Sequence, residues 1–154
     1  MVSEARYPEL YRYTKLVYLA SRYSTTDGDT NNKKLEANYL KAVNASHALF
    51  RDGWLVYSPI VMCHPMAMQH TLPKDHIFWK QYNHNMLKKV DMLVVLMDDI
   101  KPKSMGVEDE IRFALENKIP IRYMRTRPNK EAFWDMVEWD ANMPQAPWYS
   151  LGMG

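Results

Sequence analysis

The sequence predicts an α/β fold with a mainly parallel sheet covered by helices on both faces. Three observations predict it. Short apolar segments rich in Val, Leu and Tyr alternate with amphipathic helical patterns along the chain, the signature of successive βαβ units. The run MLVVLM at residues 92–97 is apolar at every position. That suits a strand buried on both faces, not one with a wet side. The chain has 154 residues, 47% hydrophobic and 25% charged, which fits one domain with a real core and excludes wholesale disorder.

The elements follow in order. Leu16–Ala20 (LVYLA) reads as the first strand. Across residues 31–51, Leu35, Tyr39, Ala42, Val43, Leu49 and Phe50 recur at a spacing near the helical period. Asp52 and Gly53 end that helix, with Gly53 suited to a left-handed cap. Residues 54–57 (WLVY) give the second strand, and residues 58–72 read as a loop. Residues 75–90 place Trp79, Tyr82, Met86, Leu87 and Val90 on one helical face, with Pro73 suiting the first turn. The third strand is 92–97. Residues 104–117 form a helix with Val107, Ile111, Ala114 and Leu115 on one face. Residues 120–123 are a short fourth strand, and Lys130–Glu138 a short helix carrying Phe133, Trp134 and Val137. The domain thus runs over 15–138, after an extension at 1–14 and before an irregular tail at 139–154. Pro144 and Pro147 oppose a long helix in the tail, while Trp148 and Tyr149 suit pinning it to the body or to a partner subunit.

Several function classes fall away. Lys and Arg total 20 against 18 Asp and Glu, a net charge of +2, which argues against a nucleic-acid polymer as partner. The longest apolar run, 92–97, is too short to cross a membrane. The first residues carry Glu4, Arg6, Glu9 and Arg12 without an apolar stretch, so no signal peptide is expected. Cys63 is the sole cysteine, which excludes an intrachain disulfide and fits a reducing cytoplasm.

In open α/β sheets ligands bind beyond the carboxyl ends of the strands. That rule selects residues 21–30, 58–72, 98–103 and 125–129. The first of these begins Ser21-Arg22-Tyr23-Ser24 and has Gly28 as its only glycine, so it lacks both the dinucleotide fingerprint and the phosphate P-loop. Ser21 and Arg22 can hold a phosphate or a sugar, or simply form a polar turn. The second holds Cys63, His64 and His70, with His76 beyond. Their spacing matches no zinc pattern, so no metal is expected. Met62, Met66 and Met68 there either line an adaptable pocket or only pack.

The stretch Ser104-Met105-Gly106-Val107-Glu108-Asp109-Glu110 opens a helix just after the third strand. A helix N-terminus attracts anions through its free N–H groups and dipole. Ser104 can cap it, and Gly106 allows a ligand close to the backbone. Glu110 lies three residues after Val107 and four before Ala114, on the stripe that faces the sheet. Such an acid is either a buried, paired structural group or a functional carboxylate with a raised pKa. Asn83 shares the apolar face of its helix and points inward by the same argument, as a satisfied core amide or a ligand contact.

Four patterns in order carry a resemblance. They are Tyr18-Leu19-Ala20-Ser21; Tyr57-Ser58-Pro59-Ile60 with His64-Pro65; Asp91 leading into Leu93-Val94-Val95-Leu96; and Ser104-x-Gly106-Val107-x-x-Glu110 with Ala114. Together they resemble the nucleoside 2-deoxyribosyltransferase-like superfamily, closest to an uncharacterised phage and bacterial branch and related to deoxynucleoside 5′-monophosphate N-glycosidases. The resemblance covers roughly residues 16–123. It implies a flavodoxin- or Rossmann-like three-layer sandwich with a mainly parallel sheet of four to five strands. It also implies cleavage of an N-glycosidic bond by hydrolysis or base transfer, without cofactor. Glu110 becomes the nucleophile, Tyr18 and Asn83 position the sugar and the carboxylate, and Ser104 and Gly106 hold the 5′ end. Ser21 and Arg22 fall in the binding region, and His64 is a contact to the base. A homodimer follows from the same resemblance. The family often has an aspartate where this chain has Asn83, and that branch often has proline where this chain has Arg22. An amide cannot exchange a proton as an acid or base. The alternative expectation is therefore a catalytically silent nucleotide-binding or nucleotide-sensing protein on the same fold.

Overall fold

The computed structural model describes residues 15–23, 32–73, 76–97, 104–127 and 130–138. Among the described residues nine elements follow one another: β1 (Leu16–Ala20), α1 (Asn32–Arg51), β2 (Leu55–Tyr57), α2 (Pro59–His70), α3 (His76–Leu87), β3 (Met92–Leu96), α4 (Met105–Glu116), β4 (Ile121–Arg127) and β5 (Lys130–Glu138). The sheet order is β2-β1-β3-β4-β5. The first four strands are parallel, and β5 closes one edge antiparallel to β4. The architecture is α/β and flavodoxin- or Rossmann-like.

Alternation along the strands sorts the core into two layers. Tyr18, Ala20, Leu93, Val95 and Tyr123 face one side, where they meet Leu87 of α3 and Val107, Ile111 and Ala114 of α4. Val17, Leu19, Met92, Val94, Leu96 and Met124 face the other, against Ala45, Ala48 and Leu49 of α1. β3 is buried at all five positions because helices cover both its faces. Right-handed crossovers explain the layering. The chain leaves β1 for β2 in one direction and returns past it to β3 in the other, so α1 lies on one face and α3 and α4 on the opposite one.

Helix ends follow the local chemistry. Gly53 adopts φ 98° and closes α1, with its N–H on the Phe50 carbonyl at 2.9 Å and that of Trp54 on Leu49 at 3.1 Å. Ser58 caps α2 by accepting from the Val61 N–H at 3.2 Å, and Pro59 occupies the first helical position.

Four expectations need correction. Residues 58–72 are not a loop: α2 fills most of them, although Pro65 lies inside it. Lys130–Glu138 is a strand, not a helix. A nine-residue segment of mixed apolar and charged residues has no decisive period, and pairing with β4 decides its conformation. β4 runs on to Arg127, beyond the expected 120–123. The helix expected over 75–90 ends at Leu87, and Pro73 precedes its described start at His76. The extension 1–14, the tail 139–154, Gly28 and residues 98–103 lie outside the described residues.

Leu93, fully buried at the centre of the sheet, tests this layering. Leu93→Ala is expected to lower the unfolding free energy by about 3 kcal/mol, read as a lower urea midpoint at unchanged slope. Leu40→Ala, at a half-exposed position of α1, is expected to stay within about 0.5 kcal/mol.

Candidate functional site

The strand order reverses between β1 and β3, which opens a crevice at their carboxyl ends. Ser21, Arg22 and Tyr23 follow β1 there, Ser58 follows β2, and the start of α4 lies beyond β3. Ser104 fixes that start. Its Oγ accepts from the Val107 N–H at 3.3 Å, and its carbonyl accepts from Glu108 at 2.8 Å. The N–H groups of Met105 and Gly106 lie in the first turn of α4, where N–H groups have no partner within the helix.

The helix so positioned turns Val107, Glu110, Ile111 and Ala114 inward. Glu110 is 6% exposed. The Tyr18 hydroxyl, fully buried on β1, donates to Glu110 Oε2. Burial pushes the Glu110 carboxyl up to about 8; the Tyr18 hydrogen bond opposes that rise, and neighbouring Asp109 adds to it. Burial, with Glu110 beside it, drives the Tyr18 phenol well above its ordinary value, so it remains a donor. Tyr57 packs on Tyr18 with ring centroids 5.4 Å apart and planes tilted by 60°. Its phenol is raised as well, by burial first and then by Cys63.

The other expected residues take distinct places. Asn83 of α3 is half-buried, and its Oδ1 is buried without a hydrogen-bond partner among the described residues. The Ser21 Oγ is likewise buried and unpartnered, and Arg22 is buried next to it in the chain. Ser21 directly follows β1 at the ligand edge, where such an orphan atom is what a polar ligand would satisfy. Next to Asn83, His84 binds Asp109 Oδ2 at 2.6 Å and stacks on Phe113 at 4.2 Å, which clamps α3 to the helix that carries Glu110. His64 has both ring nitrogens engaged within the protein. Its Nε2 lies 2.9 Å from Glu36 Oε1, and its Nδ1 lies 2.5 Å from the Tyr23 hydroxyl. The ring is 3% exposed and packs on Tyr39 at 4.6 Å.

Sequence reasoning missed Tyr57, Tyr23 and Glu36. Tyr57 had a readable signal, since it ends a strand at the ligand edge beside Tyr18. Glu36 had none, being one polar residue among several on the outer side of α1. Among the described residues, no group of three or more His, Cys, Asp or Glu is placed to hold a metal ion. A cleft of ≈ 540 Å³ lined by Lys15, Asp91, Lys118 and Arg122 opens at the other end of the sheet, away from Glu110.

A family model described as a domain of unknown function, DUF1937, matches residues 15–126. The chain belongs to the DUF1937 family. The DUF1937 match runs from β1 into β4, so it includes Tyr18, His64, Asn83 and Glu110. No curated protein matches the chain.

The raised carboxyl sets a pH dependence of stability. Glu110 binds its proton more tightly in the folded state, up to about 8 against 4.5 for the free side chain. Its contribution is complete below that lower value and is lost as pH rises towards the upper one. Wild type is therefore expected to lose melting temperature relative to Glu110→Gln between about pH 5 and about pH 8. A difference that stays flat over that range would show that the carboxyl does not fold in its neutral form.

Proposed function

We propose that the protein cleaves the N-glycosidic bond of a deoxynucleoside or deoxynucleoside 5′-monophosphate, as a member of the nucleoside 2-deoxyribosyltransferase-like superfamily. The observation that carries this reading is the buried Glu110 carboxyl, held by Tyr18 at the ligand edge. Tyr18 donates to Oε2, and Oε1 is the oxygen assigned to the attack in this reading. Ionised Glu110 attacks the sugar C1′, the C1′–N bond breaks, and its electron pair leaves with the base. The resulting glycosyl ester is opened at C1′ by water or by a second base, which restores the carboxylate.

Supporting groups have clear tasks in this scheme. The first turn of α4, with Ser104 and Gly106, receives the 5′ end, where a phosphate gains most from free N–H groups and the helix dipole. The unpartnered Asn83 Oδ1 accepts from a sugar hydroxyl, and Ser21 and Arg22 line the same edge. The reading includes a homodimer, from the resemblance, and a cytoplasmic setting, from the single cysteine. No helix among the described residues is long and apolar enough to cross a membrane.

One observation favours a second reading, a silent nucleotide-binding or nucleotide-sensing protein. Asn83 offers no exchangeable acid, and a carboxyl raised to about 8 is mostly neutral at neutral pH.

The test is release of free base, followed by chromatography, from each common deoxynucleoside and its 5′-monophosphate, with and without an acceptor base. Wild type is expected to release base, and Glu110→Gln to lose about 10³-fold or more, the scale of a missing nucleophile. kcat/KM is expected to climb with pH as Glu110 ionises near about 8. A melting temperature raised by nucleotide, with no base released from any substrate, would establish the silent binder instead.

A further inference from the structure

Asn83 and Glu110 can serve one ligand only if α3 is held in register with α4. Apolar burial does little of that holding. Among the described residues of α3, Leu87 alone is buried, in the cluster with Val107, Ile111 and Ala114 of α4. A polar tie lies closer to the site. His84 directly follows Asn83, and Asp109 directly precedes Glu110. A carboxylate oxygen only accepts, so His84 Nε2–H donates to Asp109 Oδ2, at 2.6 Å. Lys80, one turn earlier on α3, lies 3.6 Å from Asp109 Oδ1. The His84 ring also stacks on Phe113, one turn beyond Asp109, at 4.2 Å with planes 27° apart. Contacts at two successive turns of α4 fix both the height and the rotation of α3 there. The His84 and Asp109 side chains are only 21% and 14% exposed, so water competes weakly for their bond.

We propose that His84 and Asp109 are positioning residues, which hold Asn83 in register with Glu110 so that one sugar meets both. This rests on the glycosidic reading above. Neither side chain needs to touch the substrate. Glu110 is already held by Tyr18 and by the apolar face of α4, so what the tie sets is the place of Asn83. A misplacement of about 1 Å costs about 10²-fold in rate. Asp109 has a second, separable effect on charge. Burial raises the Glu110 carboxyl most, the Tyr18 hydrogen bond opposes that, and the Asp109 charge adds to the rise. The titratable groups around Glu110 are thus Tyr18 of β1, Tyr57 of β2 and Asp109 of its own helix, with His84 and Lys80 of α3 reaching Asp109. Geometry and charge come apart in the amide. Asp109→Asn keeps an oxygen for His84 and removes the charge, whereas Asp109→Ala removes both.

The test is base release by wild type, His84→Ala, Asp109→Ala and Asp109→Asn, each alone and combined with Asn83→Ala, from below to above about pH 8. On the plateau at high pH, His84→Ala and Asp109→Ala are expected to lose about 10- to 100-fold in kcat, and Asp109→Asn no more than about threefold. Both Asp109 variants are expected to move the rising limb to lower pH by the same amount, since each removes the charge that raises Glu110. In the Asn83→Ala background the His84→Ala loss is expected to vanish, because nothing is left to position. His84→Phe, which keeps a stacked ring and loses only the donor, repeats the test if His84→Ala fails to fold. A merely structural tie makes a different forecast: a lower melting temperature, with kcat intact or with the same loss in both backgrounds. Either result in an active wild type would overturn this proposal alone, as would Asp109→Asn losing as much as Asp109→Ala on the plateau. Wild type silent on every deoxynucleoside and 5′-monophosphate would defeat the glycosidic reading itself, and this proposal with it.

Discussion

A carboxyl group turned inward among Val107, Ile111 and Ala114 has left water, and an isolated charge there would cost several kcal/mol. Glu110 meets that cost in two ways. It folds mainly neutral, and it receives the Tyr18 hydroxyl. Tyr18 is itself fully buried, so each polar tip is what makes the other tolerable. The bond joins residues 92 positions apart in the chain. It fixes the rotation of α4 against β1, and with it the first turn of α4 at the ligand edge. Placed on a helix and a strand, the pair is held more rigidly than the same groups on loops would be.

Some of this was legible in the sequence because burial leaves a period. β3 announced itself by being apolar at every position, and α4 by Val107, Ile111 and Ala114 flanking Glu110. Ser104 and Gly53 marked helix ends through cap chemistry alone. Where two principles compete, the reading failed. Pro65 argues against a helix, yet α2 keeps its turn because Ser58 and Pro59 start it well and its buried face, Ile60, Cys63, His64 and Ala67, has somewhere to go. Phe133, Trp134 and Val137 fit one helical face, but the pairing partner that makes them a strand is β4, which local pattern does not reveal.

The site shows the same division. Glu110 could be picked out because a charge on an apolar stripe is anomalous within its own element. Tyr18 could not be paired with it from spacing, since the pairing depends on sheet order. The resemblance implied His64 as a contact to the base, and the fold brings its two nitrogens to Tyr23 and Glu36, 41 and 28 positions away. Partner identity at a buried histidine is a tertiary fact that spacing along the chain does not reveal.

β1 is where these facts converge. Tyr18 lies within the strand, and Ser21, Arg22 and Tyr23 continue directly from its end. Its register against β2 puts Tyr18 beside Tyr57, and against β3 beside Leu93. A slip of one residue would send Tyr18 to the α1 face and strand Glu110 without a donor. The same slip would carry Tyr23 away from α2 and break its approach to His64. Both polar clusters therefore hang on one strand of five residues, whose position is set by apolar neighbours on either side. The chemistry at the crevice is held in place by packing that contains no chemistry of its own. That is why the core pattern of β1 and β3 predicts where the site is, while the polar residues alone would not.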